Sequence, residues 1–483
     1  MQAILEALNR FVWGVPALIL ILGVGIYLSF CTGFAQITMF PRALKNFLQQ
    51  FRRKDRSAAD GVSGFQALCT ALAATVGTGN LAGVAGAICI GGPGAIFWMW
   101  MCALLGMVTK FAEATLAVRF RERNSTGEYV GGPMYMIAKG LGSKWKWLAG
   151  VYCFFGVVAA FGVGNATQIN AVVGGVNSVI TAFGGQPSVK INLIIGIVLG
   201  ILIAFMLLGG ARRIGVIAER LVPFASALYI LLCMGVLVVR ADMLGSAFVS
   251  IIQGAFSPKA VTGGMLGSAF QALRIGASRG VFTNEAGMGT ASIAHAAAKV
   301  KHPVEQGMMG IMEVFVDTIV ICTMTALVIL CSGVSIPYGT DIGVTLTADA
   351  FSGIYGQWVN ILITAALCCF AVATVLGWGL YGARCAQYLF GDGVWRFFAI
   401  LQAVTVVLGS VLGTQTVWML SETVNGLMAI PNLVALAWLS PELITLTRQY
   451  KKRSMTYGHA PEVKIACNLS AGKQKQCRNL SYK

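Results

Sequence analysis

The sequence predicts an all-α polytopic membrane protein with about eleven transmembrane helices. Three observations carry that prediction. Only 11% of the 483 residues are charged and 57% are hydrophobic, with a mean hydropathy of +0.76, whereas soluble domains carry roughly 25% charged residues. Apolar runs of about 20 residues, enough for a hydrocarbon core of ~30 Å, recur along the chain. Lysine and arginine gather in alternate loops between those runs. An outer-membrane barrel would show short alternating segments instead, and none is evident.

The runs lie near residues 11–32, 65–90, 95–118, 148–178, 191–209, 214–239, 262–279, 306–331, 357–387, 395–412 and 415–440. The first follows the weakly charged "MQAILEALNR" and has no A-x-A-like cleavage site behind it, so it reads as a retained span. After it come Arg42, Lys45, Arg52, Arg53, Lys54 and Arg56. The third run leads into Arg119, Arg121, Arg123, Lys139, Lys144 and Lys146, and the fifth into Arg212 and Arg213. Lys299 and Lys301 follow the seventh, and Arg384 closes the ninth. Intervening loops such as "GGQPSVKIN" and "CSGVSIPYGTDIG" are nearly free of base. The positive-inside rule then sets the N-terminus outside and the C-terminus in the cytoplasm. Residues 448–483 read as a polar, basic cytoplasmic tail, with attraction to anionic membrane lipid as the second reading.

The net charge of +17 is therefore a topology signal, and no nucleic acid is expected as a partner. Cysteines stand singly in apolar runs, apart from Cys368-Cys369, and form no CxxC; they read as small buried residues, not a disulfide framework. His295, His302 and His459 have no ligand spacing, so a metal site is not expected. No GxxxxGK[ST] pattern offers ATP. The scarce histidines and unclustered acids argue against an enzyme, and no repeated filter or charged ring suggests a channel.

One stretch of the second run is chemically odd. "ATVGTGNLAGVAGAI", residues 74–88, sets glycines around a threonine near mid-membrane, with Thr75, Thr78 and Asn80 beside them. Each glycine costs roughly 1 kcal/mol relative to alanine in a helix interior. Gly79 and Gly83 also make a GxxxG pair, which serves close helix packing. Irregular backbone at that depth is tolerated where it lines a cavity. An unwound segment frees carbonyls for Na⁺, and the resumed half-helix offers N–H groups to a carboxylate. Transporters built from inverted repeats break the equivalent helix of each half. Taking the first span as extra leaves five plus five: residues 1–60 hold the extra helix and a basic loop, 61–240 the first repeat, 241–447 the second, inverted repeat, and 448–483 the tail. The equivalent helix is then 262–279, also glycine-rich and ending in "RIGASRG".

"GGPGAIFWMWMCALLG" (91–106) resembles the signature of the sodium:alanine symporter family, the alanine/glycine:cation symporters. "VGTGNLAGVAGAI", "GEYVGGPMYMI" and "RGVFTNEAGMGTA" resemble further segments of that family. The resemblance implies a LeuT-type fold of two inverted five-helix repeats plus one extra N-terminal helix. It implies Na⁺-coupled import of a small neutral amino acid, alanine or glycine, across a bacterial or archaeal cell membrane by alternating access. Na⁺ is the coupling ion, and no other cofactor is expected. The alternative is an H⁺- or Na⁺-coupled carrier of another small amino acid such as glutamine or serine.

In the LeuT-type arrangement the substrate lies between the broken first and sixth core helices and faces the third and eighth. The resemblance thus implies Thr75, Thr78, Gly79 and Asn80 on the first, Gln168 on the third, and Thr374 and Trp378 on the eighth. Ile275 and Gly276 come from the sixth, whose break is expected near Ile275-Gly276-Ala277. For sodium it implies Ala73 and Val76 with Ala371 and Thr374, while Val375 stands where a second hydroxyl is common. Each polar candidate also has a plainer role. Asn80 and Gln168 can bond a neighbouring helix, Thr374 the carbonyl one turn back, and Trp378 can sit in an interfacial belt. Intramembrane acids are functional candidates by default. Glu113 reads as the partner of Lys110. Glu313 and Asp317, one turn apart, repel unless one finds a cation or proton. Asp317 reads as an ion-coupling or gate residue, or as a structural partner of Arg274. Glu285 reads as an inner gate paired with Arg279.

Overall fold

Lipid offers the backbone no hydrogen bonds, so apolar runs must close their own ladders as helices. The computed structural model describes residue 12 and residues 14–52, 61–256, 269–340, 343–412 and 414–457. The α-helices of seven or more residues, in chain order, are α1 (Val15–Thr32), α2 (Phe40–Arg52), α3 (Gly64–Thr75), α4 (Val84–Gly91), α5 (Gly94–Phe120), α6 (Lys146–Phe161) and α7 (Thr167–Ala182). They continue with α8 (Val189–Leu207), α9 (Gly210–Val239), α10 (Leu244–Phe256), α11 (Ala269–Asn284), α12 (Thr290–Ala296), α13 (Pro303–Val314) and α14 (Thr323–Cys331). The last are α15 (Val344–Tyr355), α16 (Val359–Phe390), α17 (Trp395–Gly409), α18 (Thr414–Trp438) and α19 (Ser440–Tyr457). Wide π-type turns at Gly79–Gly83, Gly162–Ala166 and Phe315–Cys322 interrupt the ladders of three spans. Two short pairings lie outside the spans. Val62–Ser63 (β1) runs parallel to Ala298–Lys299 (β4), and Glu122–Arg123 (β2) antiparallel to Tyr129–Val130 (β3).

Among the described residues, seven helices are long and apolar enough to cross a membrane, or nine if each of two bent pairs is one span. The expectation of about eleven is longer than that tally. The predicted first span is α1, of which Pro16–Thr32 counts as a shorter apolar helix. The predicted 262–279 span is helical from Ala269 to Asn284, and residues 262–268 lie outside the described set. Arg53, Lys54 and Arg56 of the basic loop and tail residues 458–483 lie outside it as well.

Two apolar cores organise the helices. One gathers α4, α5, α9, α13 and α14, and the other α6, the end of α8 and α17. α3 divides between them: Leu68, Leu72 and Ala73 face the first core, Ala71 and Ala74 the second. α16 divides too, with Phe370 and Ala373 in the first and Val372, Val375 and Trp378 in the second. The broken helix and its neighbour therefore stand on the boundary between two packed bodies.

Candidate functional site

Two glycines shape the first break. α3 starts on a capping box, in which Ser63 Oγ accepts from Gln66 N and Gln66 Oε1 from Ser63 N, each at 3.0 Å. It stops at Thr75, where Val76 turns extended (ψ 98°), and the resumed half bends away by 52°. A Cβ on Gly77 would stand 2.7 Å from Thr374 Oγ1 and 3.5 Å from Gln168 Oε1. One on Gly79 would stand 3.4 Å from Thr283 Cγ2 and 3.8 Å from the Phe282 ring. Gly77 thus lets α16 and α7 close in, and Gly79 does the same for α11. Asn80, fully buried, fastens the bend: its Oδ1 accepts from Gly77 N at 2.8 Å, and its Nδ2 donates to Asp317 Oδ1 at 2.7 Å. The N–H groups of Thr78 and Gly79 stand at the start of the wide turn that opens the resumed half. They are the leading donors of the resumed half-helix, where the backbone dipole is positive.

α16 and α7 complete this cluster. Thr374 Oγ1 does not bond back along its own helix; it crosses to Ala73 O at 3.0 Å. Thr75, by contrast, back-bonds to Ala71 O at 3.3 Å. Thr78 Oγ1 donates to Gln168 Oε1 at 3.1 Å, and Gln168 Nε2 to Val163 O at 3.1 Å. Val76, Ala371 and Val375 are fully buried beside them, and Val375 adds no side-chain oxygen. Trp378, also fully buried, lies against Gly164, where a Cβ would stand 2.2 Å from its own Cβ.

The second break is not where the sequence placed it. α11 runs unbroken through Arg274, Ile275, Gly276 and Arg279 to Asn284. Those glycines serve packing: a Cβ on Gly276 would stand 2.2 Å from Ala95 O, and Gly91 meets the Ile275 side chain in the same seam. The interruption is Glu285–Gly289, with left-handed backbone at Glu285 (φ 53°), Gly287 (φ 95°) and Gly289 (φ 77°). The N–H groups of Gly287 and Gly289 donate to Glu113 Oε1 at 2.9 and 3.1 Å, and Asn432 Nδ2 joins them at 2.8 Å. Glu113, which the sequence paired with Lys110, instead caps this break. Glu285 accepts from Thr290 Oγ1 at 2.5 Å and from Trp378 Nε1 at 2.9 Å, so Arg279 is not its partner.

Lys110 Nζ pairs with Glu313 Oε1 at 2.8 Å, and His295 Nε2 meets Glu313 Oε2 at 3.0 Å. Gln306 Nε2 supports His295 Nδ1 at 2.6 Å. Glu313 thus has its cation. Asp317, fully buried, bonds Asn80 and the Thr318 hydroxyl (2.8 Å), while Arg274 is exposed. The sequence singled out neither His295 nor Asn432 as a site residue: Asn432 acts through Glu113, 319 positions away, and His295 through Glu313 on the next helix.

A cavity lies at each end of α16. One, of about 560 Å³, is lined by Asn170, Asn177, Asp349, Asn360 and Leu367, among others. The other, of about 570 Å³, holds Arg123, Arg212, Lys299 and Arg384 together with Glu128. Ala371, Thr374 and Trp378 lie between them and are buried, so the cluster is closed towards both. The β2–β3 hairpin straps the basic end: Arg384 pairs with Glu128 at 2.7 Å, and the Ser125 hydroxyl and N–H both donate to Asp392. Those two donors hold the Asp392 carboxyl below the usual range.

Comparison with known proteins gives the family and the fold. The sodium:alanine symporter family matches residues 1–465. The sodium/alanine symporter AgcS of Methanococcus maripaludis is 42% identical over 454 residues, 93% of this chain and 97% of that one. A probable sodium/glutamine symporter, GlnT of Bacillus subtilis, is 35% identical over 460 residues, 94% of this chain and 92% of that one. Among solved structures, MhsT in complex with L-phenylalanine aligns with a TM-score of 0.53 at 17% identity, covering 80% of this chain and 97% of its own. That likeness gives the fold, which is LeuT-type.

Proposed function

Because the chain belongs to the sodium:alanine symporter family, we propose that it imports alanine or glycine together with Na⁺ across the cell membrane, and that ion and solute meet at the first break. The observation that carries this reading is the Thr374 hydroxyl on the Ala73 carbonyl, a bond between two helices on the boundary of two cores. Carbonyls of Ala73, Val76 and Ala371 with the Thr374 hydroxyl form a hard-oxygen set suited to Na⁺. The ion takes over the bridge that the hydroxyl makes directly, and so ties α16 to α3 when it is bound. The solute's carboxylate goes to the N–H groups of Thr78 and Gly79, and Gln168 and Asn80 hold that turn in place. Ile275 and Gly276 have no part in this site.

Phe282 limits the space beside Gly79, and with Trp378 on α16 it excludes long side chains by size, since an apolar slot resolves one methylene by only ~1–3 kcal/mol. Of the gate residues Arg274, Arg279, Glu285 and Asp317, Glu285 is the one we retain for that role, because its bond to Trp378 joins the second break to α16. The basic lining of the cavity at the C-terminal end of α16 supports a cytoplasmic mouth there, and with it the reading that the N-terminus lies outside. The relative named as a sodium/glutamine symporter supports a second reading, a carrier of glutamine or serine coupled to Na⁺ or H⁺.

Uptake of labelled alanine into proteoliposomes at equal pH on both sides tests this. Replacing Na⁺ by choline should abolish accumulation; undiminished accumulation in choline would refute sodium coupling.

A further inference from the structure

Asp317 is the buried acid that the site above leaves unused. It sits in the wide turn Phe315–Cys322, midway along the Pro303–Cys331 span, and is fully buried. Its carboxylate bonds neutral donors, Asn80 Nδ2 at 2.7 Å and Thr318 Oγ1 at 2.8 Å. Thr318 Oγ1 in turn accepts from Asn284 Nδ2 at 3.3 Å. Asn80 holds the first break and Asn284 is the last residue before the second, so this one carboxylate is linked to both interruptions.

The charges around it do not balance. Among the described residues, Glu113, Glu285, Glu313 and Asp317 are all buried in this region, against Lys110 and His295. Lys110 and His295 are both committed to Glu313, one turn from Asp317. The elements packed on this turn present Lys110 from α5, Asn80 from the first break and Asn284 from α11; Glu313 and Cys322 face it from its own span. An ionised carboxylate with neutral partners is expensive at this depth, and such groups in membrane spans mark ion or proton pathways.

Protonation needs no heavy atom to move. A proton on Oδ2 donates to Thr318 Oγ1, and the Thr318 hydroxyl turns to the carbonyl one turn back along its helix. The Asn80 bond to Oδ1 survives. The ionised form holds Asn80 directly and Asn284 through the Thr318 hydroxyl, and in the acid form that hydroxyl accepts from the carboxyl and no longer donates to it.

We propose that Asp317 is a proton site of the transport cycle, separate from the sodium ligands: it takes one proton from the outer water and gives it to the cytoplasm with each solute imported. The inference rests on the symport reading above and adds a second driving ion to it.

The test uses the purified full chain in proteoliposomes with equal Na⁺ on both sides, the membrane potential clamped at zero, and the outside made acid by one pH unit. Wild type should accumulate alanine, towards a ceiling of about tenfold for one proton, and a dye in the lumen should report acidification that depends on added alanine. In Asp317→Asn, whose amide imitates the protonated acid, alanine exchange should become flat with pH whatever its absolute rate. His295→Gln should keep the response to the pH gradient. Wild type that ignores the gradient while a Na⁺ gradient still drives uptake overturns the proposal. So does an Asp317→Asn protein that still follows the gradient. If a Na⁺ gradient drives nothing but the pH gradient does, the sodium reading falls and the proton site stands. Should Asp317→Asn fail to fold, lumenal acidification by wild type decides alone.

Discussion

Replacing Thr374 by valine isolates one oxygen. The two side chains have nearly the same shape, and the position is 2% exposed, so packing is kept while the hydroxyl is lost. In the structure that hydroxyl donates to Ala73 O at 3.0 Å and stands 2.7 Å from the place a Gly77 Cβ would take. A hydrogen-bonding group facing a charge contributes about 1.5–3 kcal/mol. The sodium concentration for half-maximal alanine uptake should therefore rise about 10- to 150-fold. Saturating sodium should recover most of the rate, and Thr374→Ser should stay near wild type. Initial uptake rates measured against sodium concentration read this directly. A Thr374→Val protein that folds and keeps its half-saturation within twofold of wild type would refute the sodium assignment.

Gly77→Ala forces a methyl to within 2.7 Å of Thr374 Oγ1 and should lower stability by about 1–3 kcal/mol and stop transport; adding Thr374→Ala should restore part of the thermal stability in detergent. Glu113→Ala leaves the N–H groups of Gly287 and Gly289 buried without their acceptor, a loss of roughly 2–6 kcal/mol that should lower the unfolding temperature. Glu113→Gln, which keeps an acceptor, should recover most of it. Lys110→Met leaves the buried Glu313 with His295 but without its lysine and should cost about 3–5 kcal/mol, and the double variant with Glu313→Met should unfold at a higher temperature than the single one.

The first break was legible because its cause is local: "GTGN" puts two helix-weakening residues within three positions, and the bend follows there. The second was misread for the same reason turned around. "RIGASRG" looks as weak, but Gly276 and Gly280 are there to admit Ala95 and Cys102 of α5. The true break, "NEAGMG", is held by Glu113, more than 170 positions earlier in the chain. Buried charge pairs followed the same rule. Neighbours in sequence suggested Lys110 with Glu113 and Glu285 with Arg279; the fold chose Glu313 for the lysine and Trp378 for Glu285. Glycine spacing reports on one helix, whereas the partner of a buried acid is set by which helices meet.

The claim on which this account turns is that the interrupted ladder at residues 76–80 holds the ion and the solute. A structure determined with Na⁺ and alanine bound measures it most directly. The account predicts an ion among the oxygens of Ala73, Val76, Ala371 and Thr374, with the alanine carboxylate on the N–H groups of Thr78 and Gly79. Alanine bound away from that turn, with Thr374 still bonded directly to Ala73, would contradict it.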